Sequence, residues 1–479
     1  MKINAAHSDH ARPTEERVKK SSALAASMTL LLLAFACTAS AQVFNTQTLD
    51  DYVTAQMQWE HIPGLSLAVV KDGKIILAKG YGLANVETRT PATPETVYKI
   101  GSVSKQFLAA GIMLLVQDGK LSLDDKASKY LEGTPDSWKE ITVRHLLSHT
   151  SGIVRESPGF EPYKTQTDAE VIKATYALPL RFAPGEKWAY SNVNYYALAE
   201  IIHKVSGKPW SDFIAERIFA PAGMKATTTT TADIVLSRAS GYDNKGGKLH
   251  NAEDWPAVRP SGAFISTVLD FAKWDAALYS DNILSAASRE QMWKPVTLSN
   301  GETARYGLGW FTETFQGHRR IHHEGGIPGF SSDFERFVDD HLTVVVLTNA
   351  NNRDLEDMAL RVAGFYAPAL VPAEKKAIPD AEPEVTAEIK KIIDGLANRQ
   401  LDATLFTPER AATMNDQLKA DFPEDIRRLG AILSVELLER KNESENRIYR
   451  YRISYRNMPL FVQCIFNKDG KIAKFAVGD

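Results

Sequence analysis

A long apolar segment in the first third of the chain constrains the fold more than any other feature. From Phe107 to Val116 every residue is apolar, and the segment ends at a polar stretch that contains Gly119. A helix that is apolar on all sides cannot lie at a surface, because each of its faces has to be removed from water. The sequence therefore predicts a central helix enclosed by a large domain, which a chain of 479 residues can provide.

Strand patterns occur on both sides of a long helical region. Residues 65–82 contain two β-rich runs about a Lys71-Asp72-Gly73 turn, which is typical of a hairpin. Strand patterns return over residues 319–350, where Asp339-Asp340 marks a turn. This arrangement favours one antiparallel sheet closed by the N- and C-terminal segments of a domain, with a helical region inserted. We place this domain at residues 44–368.

A second, smaller domain is predicted at the C-terminus. Residues 369–383 are rich in proline and charge, as is typical of a linker. Helical patterns over residues 384–428 precede several strand patterns, so we expect a small α+β domain at residues 384–479. This order is similar to that of NTF2-like domains, and we expect a docking or pocket-shaping role. The predicted fold class is thus α/β, of the α+β type.

The N-terminus has the pattern of a secretory signal. Basic residues at positions 17–20 precede an apolar stretch, and small residues follow at positions 39–41. We expect residues 1–41 to be a signal peptide cleaved after Ala41, which makes the protein secreted or periplasmic. Lipid attachment at Cys37, with association to the cell envelope, is the alternative. Cleavage leaves Cys464 without an intrachain partner, so a buried thiol is expected.

Charge and motifs argue against several classes of function. The formal net charge of -3 gives no general basic field for nucleic acid. We find no phosphate-binding loop and no dinucleotide fingerprint, so we expect neither a nucleic-acid partner nor a cofactor. His145 and His149 have the spacing of a zinc helix, but Leu146 stands where a zinc protease carries its glutamate. We therefore expect both histidines to be structural and no metal to be bound.

Ser102 and Lys105 lie three residues apart at the start of the apolar helix. If the helix begins at Ser102, the two side chains share a face, with Cβ atoms about 5–6 Å apart. Burial lowers the pKa of a lysine, which suits it to act as the base for a serine hydroxyl. The helix N-terminus adds free N–H groups beside a developing oxyanion. The alternative is that Ser102 only caps the helix and Lys105 reaches solvent.

A second polar group, Tyr190-Ser191-Asn192, lies on a predicted loop between the Pro184-Gly185 turn and a helix. Tyr190 can transfer a proton if a neighbouring cation lowers its pKa, and Asn192 offers both a donor and an acceptor. The alternative is an aromatic anchor followed by a helix cap.

A third group, His323-Glu324-Gly325-Gly326, lies on a predicted strand that breaks at its glycines. Glycine in a strand permits close approach of a ligand to the backbone. The alternative is a bulge flanked by surface histidines, of which His322 would be one.

Together these three groups resemble the serine β-lactamase and penicillin-recognising family, particularly its class C-like branch of D,D-peptidases, D-aminopeptidases and esterases. The order SxxK, YxN, HxG matches, as do the segments HLLSHTSGI, PGEKWAYSN, SGAFIST and YGLGW, over about residues 55–350. The resemblance implies the β-lactamase/transpeptidase-like fold.

The resemblance also implies a role for each motif residue. Ser102 would be the acylated nucleophile, and Lys105 and Tyr190 the proton-transfer pair. Asn192 would contact substrate and Lys105, and His323 would open the third motif. The backbone N–H groups of Ser102 and Gly326 would form the oxyanion hole. The neighbouring residues of the third motif, expected to contact substrate, are Glu324 and Gly325.

The third motif departs from the family pattern at Glu324. β-Lactamases usually carry a Thr or Ser there, whose hydroxyl helps to bind the substrate carboxylate, and a glutamate would repel that carboxylate. We therefore expect an exported serine hydrolase of small ester or amide substrates, either a carboxylesterase or a D-amino-acid peptide hydrolase. A β-lactamase or D,D-carboxypeptidase is the alternative within the family. A catalytically silent binding or sensor module on this fold is the alternative of another class.

Overall fold

The first predicted domain has strands at both of its ends and helices between them. The computed structural model describes residues 46–230, 233–245, 248–351, 355–371, 375–419, 422–456 and 458–477. The predicted signal peptide and Cys37 lie outside these residues. The strands are β1 (Gly64–Lys71), β2 (Lys74–Asn85), β3 (Thr90–Pro91), β4 (Tyr98–Lys99), β5 (Thr228–Thr229), β6 (Tyr242–Lys245), β7 (Lys248–Asn251), β8 (Phe264–Ser266), β9 (Phe311–Phe315), β10 (His318–Ile327), β11 (Phe330–Phe337), β12 (Leu342–Thr348), β13 (Ser434–Glu443), β14 (Asn446–Ser454), β15 (Pro459–Phe466) and β16 (Ile472–Val477). The α-helices are α1 (Thr46–Trp59), α2 (Lys105–Gln117), α3 (Val143–Leu147), α4 (Asp168–Lys173), α5 (Val193–Ser206), α6 (Trp210–Ile214), α7 (Ala220–Ala222), α8 (Val268–Ala277), α9 (Ala286–Trp293), α10 (Glu356–Tyr366), α11 (Pro383–Ala397), α12 (Pro408–Lys419) and α13 (Phe422–Leu429).

The main sheet is antiparallel and has the strand order β3-β2-β1-β12-β11-β10-β9. β1 pairs with β12, with Leu65 opposite Thr348, so the N- and C-terminal segments of the first domain meet inside the sheet, as predicted. The predicted hairpin is confirmed: Asp72 and Gly73 both have positive φ, which is the two-residue turn that matches the twist of paired strands. Between β4 and β9 the chain forms the predicted helical insertion.

The apolar helix is α2, and every residue from Lys105 to Leu115 is buried. It begins three residues later than the sequence suggested, because residues Gly101–Ser104 form a 3-10 turn. The N–H of Ile100 is bonded to the carbonyl of Phe264 in β8 at 3.1 Å, so the chain leaves a strand contact immediately before it must turn into the helix. Ser102 therefore lies in the tight turn that precedes α2.

The C-terminal residues have a hydrophobic cluster of their own. Helices α11 to α13 pack on a second antiparallel sheet with the order β13-β14-β15-β16, and Cys464 is a buried free thiol, as predicted. Ala55 and Trp59 of α1 also pack on this cluster, and His61 Nε2 lies 2.8 Å from Asp425 Oδ1. Residues 47–479 form one compact unit, so the domain boundaries stay a prediction. Across the described ranges, we find no helix with the length and apolar character needed to span a bilayer.

Candidate active site

The structure brings Ser102 and Lys105 together. Lys105 Nζ lies 2.9 Å from Ser102 Oγ, and it donates a second hydrogen bond of 2.8 Å to the carbonyl of Ser261. Ser261 opens the SGAFIST segment, whose strand β8 pairs with β4 directly before the turn. The turn that carries Ser102 and the lysine are thus held by a segment that begins 156 residues after Lys105.

The Lys105 side chain is completely buried. Burial lowers its pKa well below the usual value, the charges of Arg259 and Arg155 lower it further, and the carboxylate of Glu156 opposes them. Tyr190 and Tyr195 lie beside the amine, with Nζ 4.8 and 5.4 Å from their ring centroids. Because its pKa is lowered, Lys105 tends to be a neutral amine, and its lone pair can accept the Ser102 proton.

Tyr190 lines the site and lies beside the Lys105 amine. Burial raises the pKa of its phenol, while a hydrogen bond with Ser102 and the charge of Arg155 act in the opposite direction. The sequence argument required a neighbouring cation to lower the pKa of Tyr190. Arg155 is such a cation, with its guanidinium carbon 5.3 Å from the ring centroid, but burial raises the pKa by more than Arg155 lowers it. Tyr190 is therefore a protonated phenol, which can donate a proton, and Lys105 is the better proton acceptor.

His149 fixes the loop that carries Tyr190. Its ring lies against the Tyr190 ring, with centroids 4.3 Å apart, its Nδ1 accepts the Ser191 N–H at 3.2 Å, and its carbonyl accepts the Ala189 N–H at 2.9 Å. Burial lowers the pKa of His149 well below its usual value, so the ring is neutral. His145 instead caps α3, where its Nδ1 accepts the Thr142 N–H at 3.3 Å. Both histidines thus have structural contacts.

Asn192 differs from the role that the resemblance implied. Its Nδ2 donates to Glu156 Oε1 at 2.5 Å, and its Oδ1 is buried without a hydrogen-bond partner. Among the described residues, the hydrogen bonds of Lys105 Nζ go to Ser102 and Ser261 and not to Asn192. Asn192 nevertheless lines the pocket together with Ser102.

His323 lies on β10 and lines the same pocket as Ser102. Its Nδ1 lies 2.6 Å from the carbonyl of Glu324, and because a carbonyl can only accept, Nδ1 carries the proton. Nε2 then accepts the hydroxyl hydrogen of Tyr306, at 3.0 Å. Burial lowers the pKa of His323 to about 3, so the imidazole is neutral at ordinary pH.

Glycines allow β10 to lie directly against the turn that carries Ser102. A Cβ atom on Gly325 would lie 2.1 Å from the carbonyl oxygen of Ile100, and one on Gly101 would lie 2.8 Å from the nitrogen of Gly326. Ser332 Oγ, on β11, donates a hydrogen bond of 2.8 Å to the same carbonyl. Ser102 and Gly326 consequently line one pocket, an arrangement that fits the oxyanion hole expected from the sequence.

Glu324 lies at the rim of the pocket and is exposed. Successive residues of a strand point to opposite faces, and Glu324 is paired with Asp333, whereas His323 is paired with Phe334 of the main core. The Glu324 side chain therefore leaves the sheet on the face opposite His323. Its charge contributes to the raised pKa of Tyr190, so it acts on the site through its field. A direct contact with substrate stays a prediction.

The face of the sheet that carries Glu324 also holds His322, Asp333 and Glu335, which offer metal-ligand atoms within 4.8 Å of one another. His322 is buried there and is not the surface residue that the sequence alternative described. Arg320 Nε donates to Glu335 at 2.6 Å, and Arg320 Nη2 lies 3.3 Å from His322 Nδ1. The guanidinium supplies the positive charge that a cation would bring, and it would repel one. This cluster is accordingly a buried ionic network behind the site.

The site opens into a pocket of about 660 Å³, which is the size of a small-molecule site. The candidate site residues predicted from the sequence all line this pocket except Lys105, which lies behind the pocket wall. The sequence argument missed several wall residues: Arg155, Glu156, Trp188, Trp255, Arg259 and Phe311. Their positions in the sequence were the available signal: Arg155 and Glu156 lie two and three residues after the HLLSHTSGI segment, and Arg259 lies two residues before SGAFIST.

Known proteins resemble this chain over the part that carries the site. The model of the Beta-lactamase family matches residues 49–366. Penicillin-binding protein 4* of Bacillus subtilis (strain 168) is 32% identical over 344 residues, which cover 67% of this chain and 74% of that relative. Unguisins hydrolase ungD' of Aspergillus campestris (strain IBT 28561) is 31% identical over 338 residues, which cover 64% of this chain and 60% of that relative.

Solved structures give the same assignment. The D-amino acid amidase from Ochrobactrum anthropi SV3, complexed with D-phenylalanine, has a TM-score of 0.56 and 26% identity, and the match covers 67% of this chain and 98% of that one. The octameric penicillin-binding protein homologue from Pyrococcus abyssi shares the fold, with a TM-score of 0.63 and 24% identity over 90% of this chain and 96% of that one. By its family match, its relatives and its fold, the chain belongs to the Beta-lactamase family, the serine β-lactamase and penicillin-binding-protein-like group of serine hydrolases.

Proposed function

We propose that this protein is an exported serine hydrolase that forms an acyl-enzyme at Ser102. The observation that carries the proposal is the 2.9 Å distance between Ser102 Oγ and the buried amine of Lys105. A neutral amine at hydrogen-bond distance from a hydroxyl is the arrangement that general-base activation of serine requires. Export rests on the signal pattern of residues 1–41.

In the proposed reaction, Lys105 Nζ takes the Ser102 proton while Oγ attacks the substrate carbonyl. The carbonyl oxygen gains negative charge, which the N–H groups of Ser102 and Gly326 stabilise. The C–N or C–O bond of the scissile group then breaks, and the Tyr190 phenol donates a proton to the leaving group while Lys105 returns one to Tyr190. Water then attacks the acyl carbon while Lys105 takes a proton from it. The bond between the acyl carbon and Ser102 Oγ breaks, and Lys105 returns the proton to Oγ, which releases the acid and restores Ser102.

We propose small amides and esters of amino acids of D configuration as the substrates. The pocket volume of about 660 Å³ suits a ligand of a few residues, and the amidase relative was crystallised with D-phenylalanine. Carboxylesters are chemically easier acyl donors that the same machinery would accept. The direction of the Glu324 side chain weakens the sequence argument against substrates with a carboxylate, so cell-wall peptides and β-lactams stay as alternatives within the family.

Labelling with a fluorophosphonate probe tests the mechanism. We expect one covalent adduct, mapped by peptide mass spectrometry to Ser102, and no adduct in Ser102→Ala. Labelling at another residue, or none, would overturn the proposal. Stable acylation of Ser102 by p-nitrophenyl acetate, without release of acetate, would identify a binding or sensor module instead of an enzyme.

A further inference from the structure

A buried lysine lies three residues before Ser102 and belongs to none of the three motifs. Lys99 is the last residue of β4, and its side chain is only 3% exposed. Its Nζ donates a hydrogen bond to Asp254 Oδ1, and the Asp254 side chain is 71% exposed. Arg238 Nη2 lies 3.7 Å from the same oxygen, beyond hydrogen-bond distance. Because a buried ammonium group is costly unless it is paired, Asp254 compensates a charge that lies close to the turn that carries Ser102.

Asp254 belongs to a segment between β7 and β8, residues 252–258, which we call the strap. The N–H groups of Ala252 and Ala257 are bonded to carbonyls outside the strap, at 3.0 and 3.1 Å. Within the described part of the chain, the residues between these two anchors neither donate nor accept a backbone hydrogen bond. Their position therefore depends on side-chain contacts. The Lys99–Asp254 ion pair is the contact that joins the strap to β4.

The strap supplies part of the pocket wall. Trp255, which follows Asp254 directly, lines the pocket of the candidate site. Its ring centroid lies 6.0 Å from that of Phe160 and 5.5 Å from the guanidinium carbon of Arg259. Its Nε1 donates to Glu253 at 3.0 Å, a hydrogen bond within the strap that does not fix the strap to the rest of the chain. The ion pair of the neighbouring Asp254 does fix it, and so helps to set where the indole stands.

We propose that Lys99 and Asp254 are specificity-determining positioning residues, which hold Trp255 in place as a barrier to bulky substrates. Neither side chain is among the described residues that line the pocket, so both act through the position of the strap. Breaking the ion pair frees the strap between its two anchors, and the indole then moves aside and admits a larger group beside Ser102. This inference rests on the proposed function and adds what limits the size of its substrates.

Esters enlarged at either end test the proposal. p-Nitrophenyl acetate is compared with p-nitrophenyl diphenylacetate, and phenyl acetate with biphenyl-4-yl acetate, so that bulk is added first to the acyl group and then to the leaving group. In Asp254→Asn we expect the ratio of kcat/KM for the bulky ester to that for the small ester to rise about tenfold in at least one pair. Unchanged ratios in both pairs would overturn the proposal. An equal fall in kcat/KM for every ester would also overturn it, because the ion pair would then only support the turn that carries Ser102.

Two further variants separate the ion pair from the indole. Asp254→Asn leaves a buried charge unpaired, whereas Lys99→Met replaces that charge by an apolar chain of similar size, so Lys99→Met keeps the test valid if the first variant fails to fold. It should raise the same ratio. Trp255→Ala should raise it too, and the addition of Asp254→Asn to Trp255→Ala should change it no further, because the ion pair acts through the indole. A further rise in the double variant would contradict the proposed route.

Asp281→Asn is the matched control. The Asp281 side chain is 72% exposed, its Oδ1 lies 3.0 Å from the guanidinium of the largely buried Arg289, and neither residue is among the described residues that line the pocket. This variant breaks a similar ion pair without touching the strap, so it should keep the wild-type ratio in both pairs of esters. A rise as large as that in Asp254→Asn would overturn the proposal.

Binding to Ser102→Ala keeps this test independent of catalysis. Diphenylacetamide and N-(biphenyl-4-yl)acetamide carry the same bulk as the two large esters. We expect at least one of them to bind about tenfold more tightly when Asp254→Asn is added to Ser102→Ala, as measured by calorimetry. If this gain is found but no ester is hydrolysed, the proposed function fails and the inference about the strap stands. If esters are hydrolysed but neither the ratios nor the affinities change, the inference fails and the proposed function stands.

Discussion

The Lys105 amine lies 2.9 Å from the Ser102 hydroxyl, although the two residues belong to different elements. Ser102 lies in a 3-10 turn, and Lys105 is the first residue of α2. The turn tightens the backbone before the helix, which gives the two side chains a spacing close to that of adjacent helical turns. The lysine can therefore reach the serine while it remains completely buried.

Replacement of Lys105 tests its role as base. We expect Lys105→Ala to lower kcat by about 10²–10⁴, the usual range for a general base. Lys105→Arg should not restore it, because arginine stays protonated. Urea unfolding of each variant is the control, since a change in stability alone would not lower kcat in the folded fraction. Near-normal turnover in the alanine variant would contradict the assignment.

The pH profile of acylation follows from the same electrostatics. Burial and two arginines lower the pKa of Lys105 well below 10.5, so its neutral form, the base, is already present at lower pH. Burial raises the pKa of Tyr190, which keeps its donor proton into the alkaline range. We expect the rate of ester acylation to rise with pH well below 10.5 and then to stay level up to about pH 10, where an unperturbed tyrosine would titrate. A rate that rises only near pH 10.5 would contradict this.

Tyr306→Phe tests the hydrogen bond that fixes His323. The substitution removes the hydroxyl 3.0 Å from Nε2 and leaves a buried lone pair without a donor, so we expect a loss of about 1–3 kcal/mol in the free energy of unfolding. Tyr176→Phe is the control, because its hydroxyl has a long bond of 3.3 Å to an exposed carbonyl, and it should change stability by less than about 0.5 kcal/mol. Equal effects of the two substitutions would show that the Tyr306 hydroxyl does not stabilise the site.

Asp333 should make stability depend on pH. Both of its carboxylate oxygens are buried without hydrogen-bond partners, and burial raises its pKa well above 3.8, with the charge of Glu335 adding to the effect. In the unfolded chain this carboxyl ionises near its ordinary pKa of 3.8, so above that pH the unfolded state binds fewer protons than the folded one and is stabilised relative to it as the pH rises. The contribution of Asp333 to stability is therefore lost with increasing pH.

Asp333→Asn removes this titration while keeping the size of the side chain. We expect the variant to gain stability relative to wild type as the pH rises from 4 to 8, by up to about 1.4 kcal/mol for each pH unit between the two pKa values. Urea unfolding at pH 4, 6 and 8 measures the difference, and Asp339→Asn, at an exposed turn, is the control. A constant difference across this range would mean that Asp333 is ionised in the folded protein.

Removal of residues 376–479 tests the domain boundary. We expect the remaining chain to fold and to be labelled at Ser102, because all strands of the main sheet precede the cut. Its stability should be lower, since Trp59 packs on the C-terminal cluster and lies 6.5 Å from the Phe422 ring, between centroids. Trp59→Ser should cost about 1–3 kcal/mol in the full chain and much less in the shortened one. An insoluble shortened chain would show that the boundary is wrong.

The sequence by itself determined the features that depend on local chemistry. Asp72-Gly73 defines its turn because these residues accept positive φ, and the unbroken apolar run after Lys105 requires a buried helix. The three motifs identified the family because they consist of residue types at fixed spacing, which can be recognised in the sequence without knowledge of the fold. Strand alternation alone would also have separated His323 from Glu324, which point to opposite faces of β10.

Only the tertiary structure decided which atoms meet and which of them are charged. Glu156 holds Asn192 from 36 residues away, and Ser261 holds Lys105 from 156 residues away. No local pattern specifies such pairs, because they depend on how distant segments pack. The pKa values of Lys105, Tyr190 and His323 are likewise set mainly by burial, which belongs to the folded chain as a whole. The sequence supplied the side chains of the candidate site, and packing set the distances, the burial and the hydrogen-bond partners that decide their protonation states.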